Sequence, residues 1–204
     1  MAELTVTTFV SLDGVMQAPG GPGEDEGGNF PYGGWVFPLF DEDGGKEIVA
    51  NFAKADAFLL GRTTYDIFAS HWPKVTDPND LVASKLNTLP KYVASRTRSE
   101  FSWHDSHHLA EVVSGVAELK KRYPGEVQVH GSAGLLQTLI EHDLIDEYRV
   151  MTFPVTLGIG KRLFGIGTMP RSLKLVRSST TAKGVVISVY RPAGKLLTGS
   201  FALE

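Results

Sequence analysis

Near the start of the chain, Leu4–Leu12 (L-T-V-T-T-F-V-S-L) sets β-branched and apolar residues side by side, the pattern of a strand inside a sheet. It stops at Asp13-Gly14, a turn signal. Shorter apolar runs at Ala57–Leu60, Lys91–Ser95, Val127–His130 and Glu147–Phe153 read as further strands. Between them the period changes. Glu47–Ala55 brings Ile48, Phe52 and Ala55 to one helical face, Tyr65–Ser70 starts a helix, and Leu81–Asn87 predicts a weaker one. Leu109, Val112, Val113, Val116 and Leu119 recur at three and four residues, the clearest amphipathic helix in the chain. Lys120, Lys121 and Arg122 suit its C-terminal dipole, and Pro124-Gly125 ends it. Leu135, Leu136, Leu139 and Ile140 share a face of another helix. Leu173–Thr181 and Val185–Arg191 then face each other across Ala182-Lys183-Gly184 as a β-hairpin.

Strands alternating with helices predict an α/β fold: three α/β/α layers, with a mixed, mostly parallel central sheet and a C-terminal antiparallel hairpin. A chain of 204 residues suits one domain over 1–204, interrupted by a Gly/Pro-rich loop at 18–34. Such loops are usually functional lids or disordered. The aromatics Phe30, Tyr32, Trp35, Phe37 and Phe40 are too many to leave in water and are expected to pack on the body or wall a pocket. A net charge of −3 gives no electrostatic reason to expect nucleic acid or anionic membrane as a partner. The lack of cysteine excludes disulfides, thiolate catalysis and cysteine-bound zinc. No apolar run reaches membrane-spanning length, and the N-terminus lacks the layout of a signal peptide, so a cytoplasmic protein is expected.

In open α/β sheets ligands sit beyond the C-terminal ends of the strands. Four predicted strands end in Asp13-Gly14, Gly61-Arg62-Thr63-Thr64, Ser95-Arg96-Thr97 and Gly131-Ser132-Ala133-Gly134. The last runs straight from strand to helix, aiming backbone N–H groups and a positive dipole end at one point, where a phosphate can be held. Two of the ends set an arginine beside a hydroxyl, which also suits phosphate. Simpler motifs fail. The first strand is not followed by G-x-G-x-x-G, and Gly160-Lys161-Arg162 is not a P-loop. Asp41-Glu42-Asp43-Gly44 lacks calcium-loop spacing, and His104, His107 and His108 read as surface residues at a helix start. Ser132 stands on a strand-to-helix turn as a hydrolase nucleophile does, but His130 occupies the position where that elbow needs glycine.

Taken in order, Leu59-Leu60-Gly61-Arg62-Thr63-Thr64-Tyr65, Val93-Ala94-Ser95-Arg96 and Val129-His130-Gly131-Ser132-Ala133-Gly134 resemble the dihydrofolate reductase superfamily. Ser11-Leu12-Asp13-Gly14, Leu144-Ile145-Asp146-Glu147-Tyr148 and Pro154-Val155-Thr156-Leu157-Gly158 resemble its branch related to the reductase domain of the bifunctional riboflavin-biosynthesis deaminase–reductase. The resemblance covers nearly the whole chain. It implies NADPH as hydride donor, a small heterocyclic substrate and a homodimer. It implies that Gly61, Arg62, Thr63 and Thr64 bind cofactor phosphates, that Ser95 and Arg96 hold the adenosine 2′-phosphate, and that Gly131, Ser132, Ala133 and Gly134 hold the pyrophosphate. Arginines and hydroxyls there agree with NADPH over NADH, whose ribose calls for a carboxylate.

For the substrate the resemblance points to a carboxylate after a tryptophan, and here Asp41 follows Trp35. Asp41 could orient a nitrogen heterocycle and assist its protonation, or could cap the next helix. Asp13, in the turn near the expected nicotinamide position, is the second candidate, with a plain turn as its other reading. Folate-reducing members carry a cis Gly-Gly pair at the pyrophosphate turn. The pair here is Gly131-Ser132, where a cis bond costs roughly 2.5–4 kcal/mol, so the turn is either trans or strained. The function expected is therefore an NADPH-dependent reductase of a pterin- or pyrimidine-like substrate. The alternatives are a regulatory or stress protein that binds NADP(H) without turnover and, third, a serine hydrolase using Ser132.

Overall fold

In the computed structural model, which describes residues 1–201, the first strand lies at the centre of the sheet. β1 (Glu3–Ser11) turns Leu4, Val6 and Val10 to one face and Phe9 to the other, so both faces need cover. It pairs in parallel with β5 (Glu126–His130) on one side and β6 (Glu147–Phe153) on the other. Outside β5 come β2 (Ala55–Gly61), β3 (Lys91–Ala94) and β4 (Ser106–Leu109), all parallel. Beyond β6 the hairpin of β7 (Arg171–Thr180) and β8 (Val186–Lys195) joins antiparallel through β8. The order β4-β3-β2-β5-β1-β6-β8-β7 is thus a mixed, mostly parallel sheet with an antiparallel edge, as the sequence predicts.

Helices cover both faces. On one, α4 (Val112–Arg122) and α5 (Ala133–Glu141) press Val116, Leu119, Leu136 and Leu139 onto Leu4, Val6, Val127 and Val129. On the other, α1 (Glu42–Phe52), α2 (Arg62–His71) and α3 (Leu81–Thr88) bring Phe52, Tyr65 and Leu86 against Phe58 and Leu60. Toward the hairpin, Trp35 meets Phe153 edge-on at 5.6 Å beside Ile187. No helix among the described residues is long and apolar enough to cross a membrane.

Several boundaries differ from the sequence pattern. The first helix starts at Glu42 rather than Glu47, because the Asp41 carboxylate accepts from Gly44 N at 3.0 Å and caps it; Ala55 already belongs to β2. Helix α2 begins directly after Gly61. The histidines do not stand at a helix start: His107 and His108 lie in β4, Leu109 ends that strand, and Val113 is 41% exposed. A four-residue strand at this position buries little and shows no apolar alternation. The 18–34 loop forms neither helix nor strand, yet it is tied down. Gln17 Nε2 donates to the carbonyls of Asp25 and Gly27, its Oε1 accepts from Lys161 N, and Trp35 Nε1 donates to its backbone carbonyl. Phe30 and Trp35 are buried, whereas Phe37 faces solvent.

Lys91 is fully buried; its ammonium donates to the carbonyls of Leu86 and Leu89 at the end of α3 and lies 4.6 Å above the Trp103 ring. Burial brings its pKa down to about 8 from the ordinary 10.5. Between those values the unfolded chain holds a proton that the folded one lacks, so stability rises with pH through that window. Urea unfolding near pH 9.5 is expected to show a higher midpoint than near pH 7.5, and Lys91→Met to lose most of that rise.

Candidate active site

The strand ends open into a cleft of about 1760 Å³. Small-molecule pockets run to roughly 300–1,000 Å³, so there is room for two ligands together. All of Gly61, Arg62, Thr63, Thr64, Ser95, Arg96, Gly131, Ser132, Ala133 and Gly134 line it. One hydroxyl ties two of these segments. Ser132 Oγ accepts from Gly61 N at 2.8 Å and donates to Thr64 Oγ1 at 2.6 Å. The Gly131–Ser132 peptide is trans, and both residues take left-handed backbone, with φ of 67° and 71°. For serine that conformation costs on the order of 1 kcal/mol, which the two hydrogen bonds offset.

The close approach explains Gly61. A Cβ there would lie 2.8 Å from Ser132 Oγ and 2.9 Å from its Cβ. Gly61→Ala is expected to destabilise the fold by about 1–3 kcal/mol, and Ser132→Gly in the same chain to return part of the loss, read by urea denaturation.

The helix starts divide in two. Asp41 and Asp80 cap α1 and α3 with their carboxylates, whereas α2, α4 and α5 have no side-chain cap, and their first residues line the cleft. Free N–H groups and positive dipole ends therefore face the same space. A Cβ added at Gly131 or Gly134 would meet nothing within 4 Å, which leaves the start of α5 open to a ligand. Arg62 makes a loose ion pair with Asp66 at 3.5 Å, and Arg96 is exposed, with no ion pair among the described residues. Ser95 Oγ accepts from Arg98 N at 3.0 Å, which leaves its proton free to donate.

The expected carboxylates stand elsewhere; neither Asp13 nor Asp41 is among the residues lining the cleft. Asp13 accepts from Ser11 Oγ at 2.6 Å, from Leu157 N at 3.1 Å and from Gly158 N at 2.8 Å, clipping the turn after β1 to the loop after β6. The Ser11 hydroxyl first, with those N–H groups, draws its pKa down to about 2, so it is ionised at neutral pH and cannot serve as a proton donor. Asp41 caps α1 and accepts from Lys183 N at 3.1 Å; the Gly44 N–H foremost lowers its pKa. Of its two readings, the cap is the one its contacts satisfy. The hydrolase reading loses its geometry as well. The Ser132 proton goes to Thr64, while His142 bonds the Thr138 carbonyl, Asp143 pairs with Arg171 and Asp146 with Lys120.

Other residues complete the cleft. Phe9, Ile48, Phe52, Phe68 and Trp72 add apolar, largely aromatic lining, and Thr7 and His130 line it as well. From the 18–34 loop comes Glu24, which burial raises in pKa and which accepts from Gly20 N and Gly21 N. The signal for Thr7 is visible in the sequence: Thr5, Thr7 and Thr8 are polar residues in a strand at the centre of the sheet, and all three are buried.

Comparison with known proteins agrees with this architecture. Residues 2–187 match the family described as the RibD C-terminal domain. The protein YyaP of Bacillus subtilis (strain 168), itself uncharacterized, is 32% identical over 187 residues, 89% of this chain and 90% of its own length. Among solved structures, a putative riboflavin biosynthesis protein from Shewanella sp. PV-4 superposes with a TM-score of 0.71 at 21% identity, over 94% of this chain and 99% of that one. Dihydrofolate reductase from Enterococcus faecalis, complexed with NADP(H), superposes at 0.59 and 12% identity, over 93% and 96%. The fold is that of dihydrofolate reductase, and the chain belongs to the RibD C-terminal domain family.

Proposed function

We propose that this chain is a single-domain, NADPH-dependent reductase of a small pterin- or pyrimidine-like heterocycle, working in the cytoplasm as a homodimer. One observation carries the reading: the uncapped starts of α2 and α5 converge with Arg62, Ser95 and Arg96 on one cleft. The pyrophosphate fits the open turn Gly131–Gly134 and the start of α2 at Gly61–Thr64, and the 2′-phosphate fits Ser95 and Arg96. Family membership and the NADP(H)-bound neighbour of the same fold support the choice of cofactor.

When bound, NADPH supplies the hydride. The chain's own residues do the rest. Arg62 and Arg96 neutralise phosphate charge, and Phe52, Phe68 and Trp72 hold a flat ring and keep bulk water off its faces. Asp13 stays ionised and Asp41 is committed to its cap, so the proton that accompanies the hydride comes from within the cleft, where Glu24, its pKa raised by burial, or a water molecule can supply it. The outermost strand β7 leaves Leu173, Leu175 and Val176 exposed, an apolar edge that suits a second copy.

The displacement of both carboxylates from the cleft favours one second reading, a regulatory protein that binds NADP(H) without turning it over. Loss of nicotinamide absorbance in a screen of pterins, pyrimidines and quinones separates the two. Oxidation of NADPH by one ring class is the expected result; tight binding without turnover across the screen supports the second reading.

A further inference from the structure

We propose that Thr7 and His130 form a hydrogen-bonding floor that selects an uncharged flat ring presenting an N–H donor beside a carbonyl, a specificity that rests on the reductase reading above. The two are register partners on β1 and β5, so their side chains stand side by side on one sheet face, and both line the cleft.

The protonation of His130 follows from a chain of groups with no freedom left. Arg149 donates to both oxygens of Glu126, at 2.7 and 2.9 Å, so that carboxylate can only accept. Gln128 Nε2 lies 2.8 Å from Glu126 Oε2 and 2.7 Å from the Asn51 carbonyl. Neither of those can donate, so the amide nitrogen must be on that side and Gln128 Oε1 must face His130 Nε2, at 3.1 Å. An amide oxygen only accepts. His130 therefore carries its proton on Nε2, and Nδ1 presents a lone pair.

The imidazole stacks on Phe52 with centroids 4.3 Å apart and planes 20° from parallel. Burial first, and the nearby Arg149 charge second, hold its pKa down to about 3, so it stays neutral. Beside it, Thr7 Oγ1 is buried and has no hydrogen-bond partner among the described residues. Buried hydroxyls seldom go unpaired, so one on a cleft wall is completed by a molecule in the cleft, water or ligand. An obligate acceptor next to a hydroxyl free to donate matches an N–H next to a C=O.

Charge is disfavoured by what borders the floor. Of the cleft's carboxylates, Glu24, Asp77 and Asp80 accept from backbone N–H groups of their own segments, Asp25 pairs with Lys161 and Glu111 stands at the start of α4; none is hydrogen-bonded to Thr7 or His130 among the described residues. A cationic ring lying on Thr7 and His130 finds no hydrogen-bonded counter-charge there, and burying an unpaired charge costs more than burying a planar neutral ring.

The test is calorimetric titration of the NADP⁺-saturated protein with lumazine (pteridine-2,4-dione), its 1,3-dimethyl derivative and 2,4-diaminopteridine. Lumazine is expected to bind about tenfold or more tighter than either of the others, as losing a buried hydrogen-bond partner implies. His130→Phe, which keeps the stack and removes the acceptor, is expected to bring lumazine and its dimethyl derivative to nearly equal affinity. Thr7→Val, nearly isosteric, is expected to narrow the preference and gives an independent reading if His130→Phe does not fold. Equal binding of the dimethyl ring by the unaltered protein, no binding of lumazine, or a preference that survives both substitutions overturns the proposal. NADP⁺ affinity measured on the same samples keeps the two ideas apart. Intact NADP⁺ binding without ring discrimination removes only this inference, whereas no NADP⁺ binding removes the reductase reading beneath it.

Discussion

Arg96→Ala is expected to weaken NADPH binding about tenfold to a hundredfold and to leave NADH binding nearly unchanged, the size of one charge-assisted contact to a phosphate. Arg96 is exposed at the end of β3, has no ion pair among the described residues and lies beside a serine whose proton is free. Its removal should therefore leave the fold alone and change only what meets the 2′-phosphate. Fluorescence titration of both nucleotides against both proteins reads the effect. Equal losses for NADPH and NADH would place Arg96 elsewhere on the cofactor, and no loss for either would remove it from the site. Arg96→Lys is expected to recover part of the affinity, because a lysine supplies the charge without the planar fork.

The second large effect lies beneath the cleft. Arg149 is 3% exposed and bonds Glu126 through both terminal nitrogens and Glu147 through Nε at 2.7 Å. Arg149→Leu strands Glu126, which has no other ion pair among the described residues, while Glu147 keeps Arg191 at 2.9 Å; the substitution is expected to cost about 3–5 kcal/mol in urea unfolding. Adding Glu126→Gln should recover part of that loss, since it removes the stranded charge. A loss below about 1 kcal/mol, the range of exposed pairs, would show that water screens the cluster. The same substitution frees Glu126 and so loosens the Gln128 amide that fixes the His130 tautomer. Stability and ring selectivity are thus expected to fall together in Arg149→Leu.

What the sequence discloses and what it hides divide along physical lines. The turns at Gly61–Thr64, Ser95-Arg96 and Gly131–Gly134 are legible because their demands are local: a glycine where Ser132 approaches, a hydroxyl beside an arginine, a strand running straight into a helix. The aim of a carboxylate is not local. Asp41 is claimed by Lys183, 142 residues away, and Asp13 by Leu157, 144 residues away, and no spacing near either announces that. Strand β4 escapes the pattern because Ser-His-His-Leu, pairing only with β3 among the described residues, buries too little to show a period. Glycines at 44 and 45 hide the start of α1, since their poor helix propensity outweighs the Asp41 cap in a sequence reading. The polarity of Thr7 and His130 is visible in the chain, but their availability is not. It depends on Gln128, Asn51, Glu126 and Arg149, which come from α1, β5 and β6.

A crystal structure of the protein with NADP⁺ tests the central proposal most directly. The expected result is a pyrophosphate on the Gly131–Gly134 turn, a 2′-phosphate on Ser95 and Arg96, and a nicotinamide ring at the Thr7 end of the cleft. A nucleotide bound outside the cleft, or one whose 2′-phosphate touches neither Ser95 nor Arg96, would contradict it.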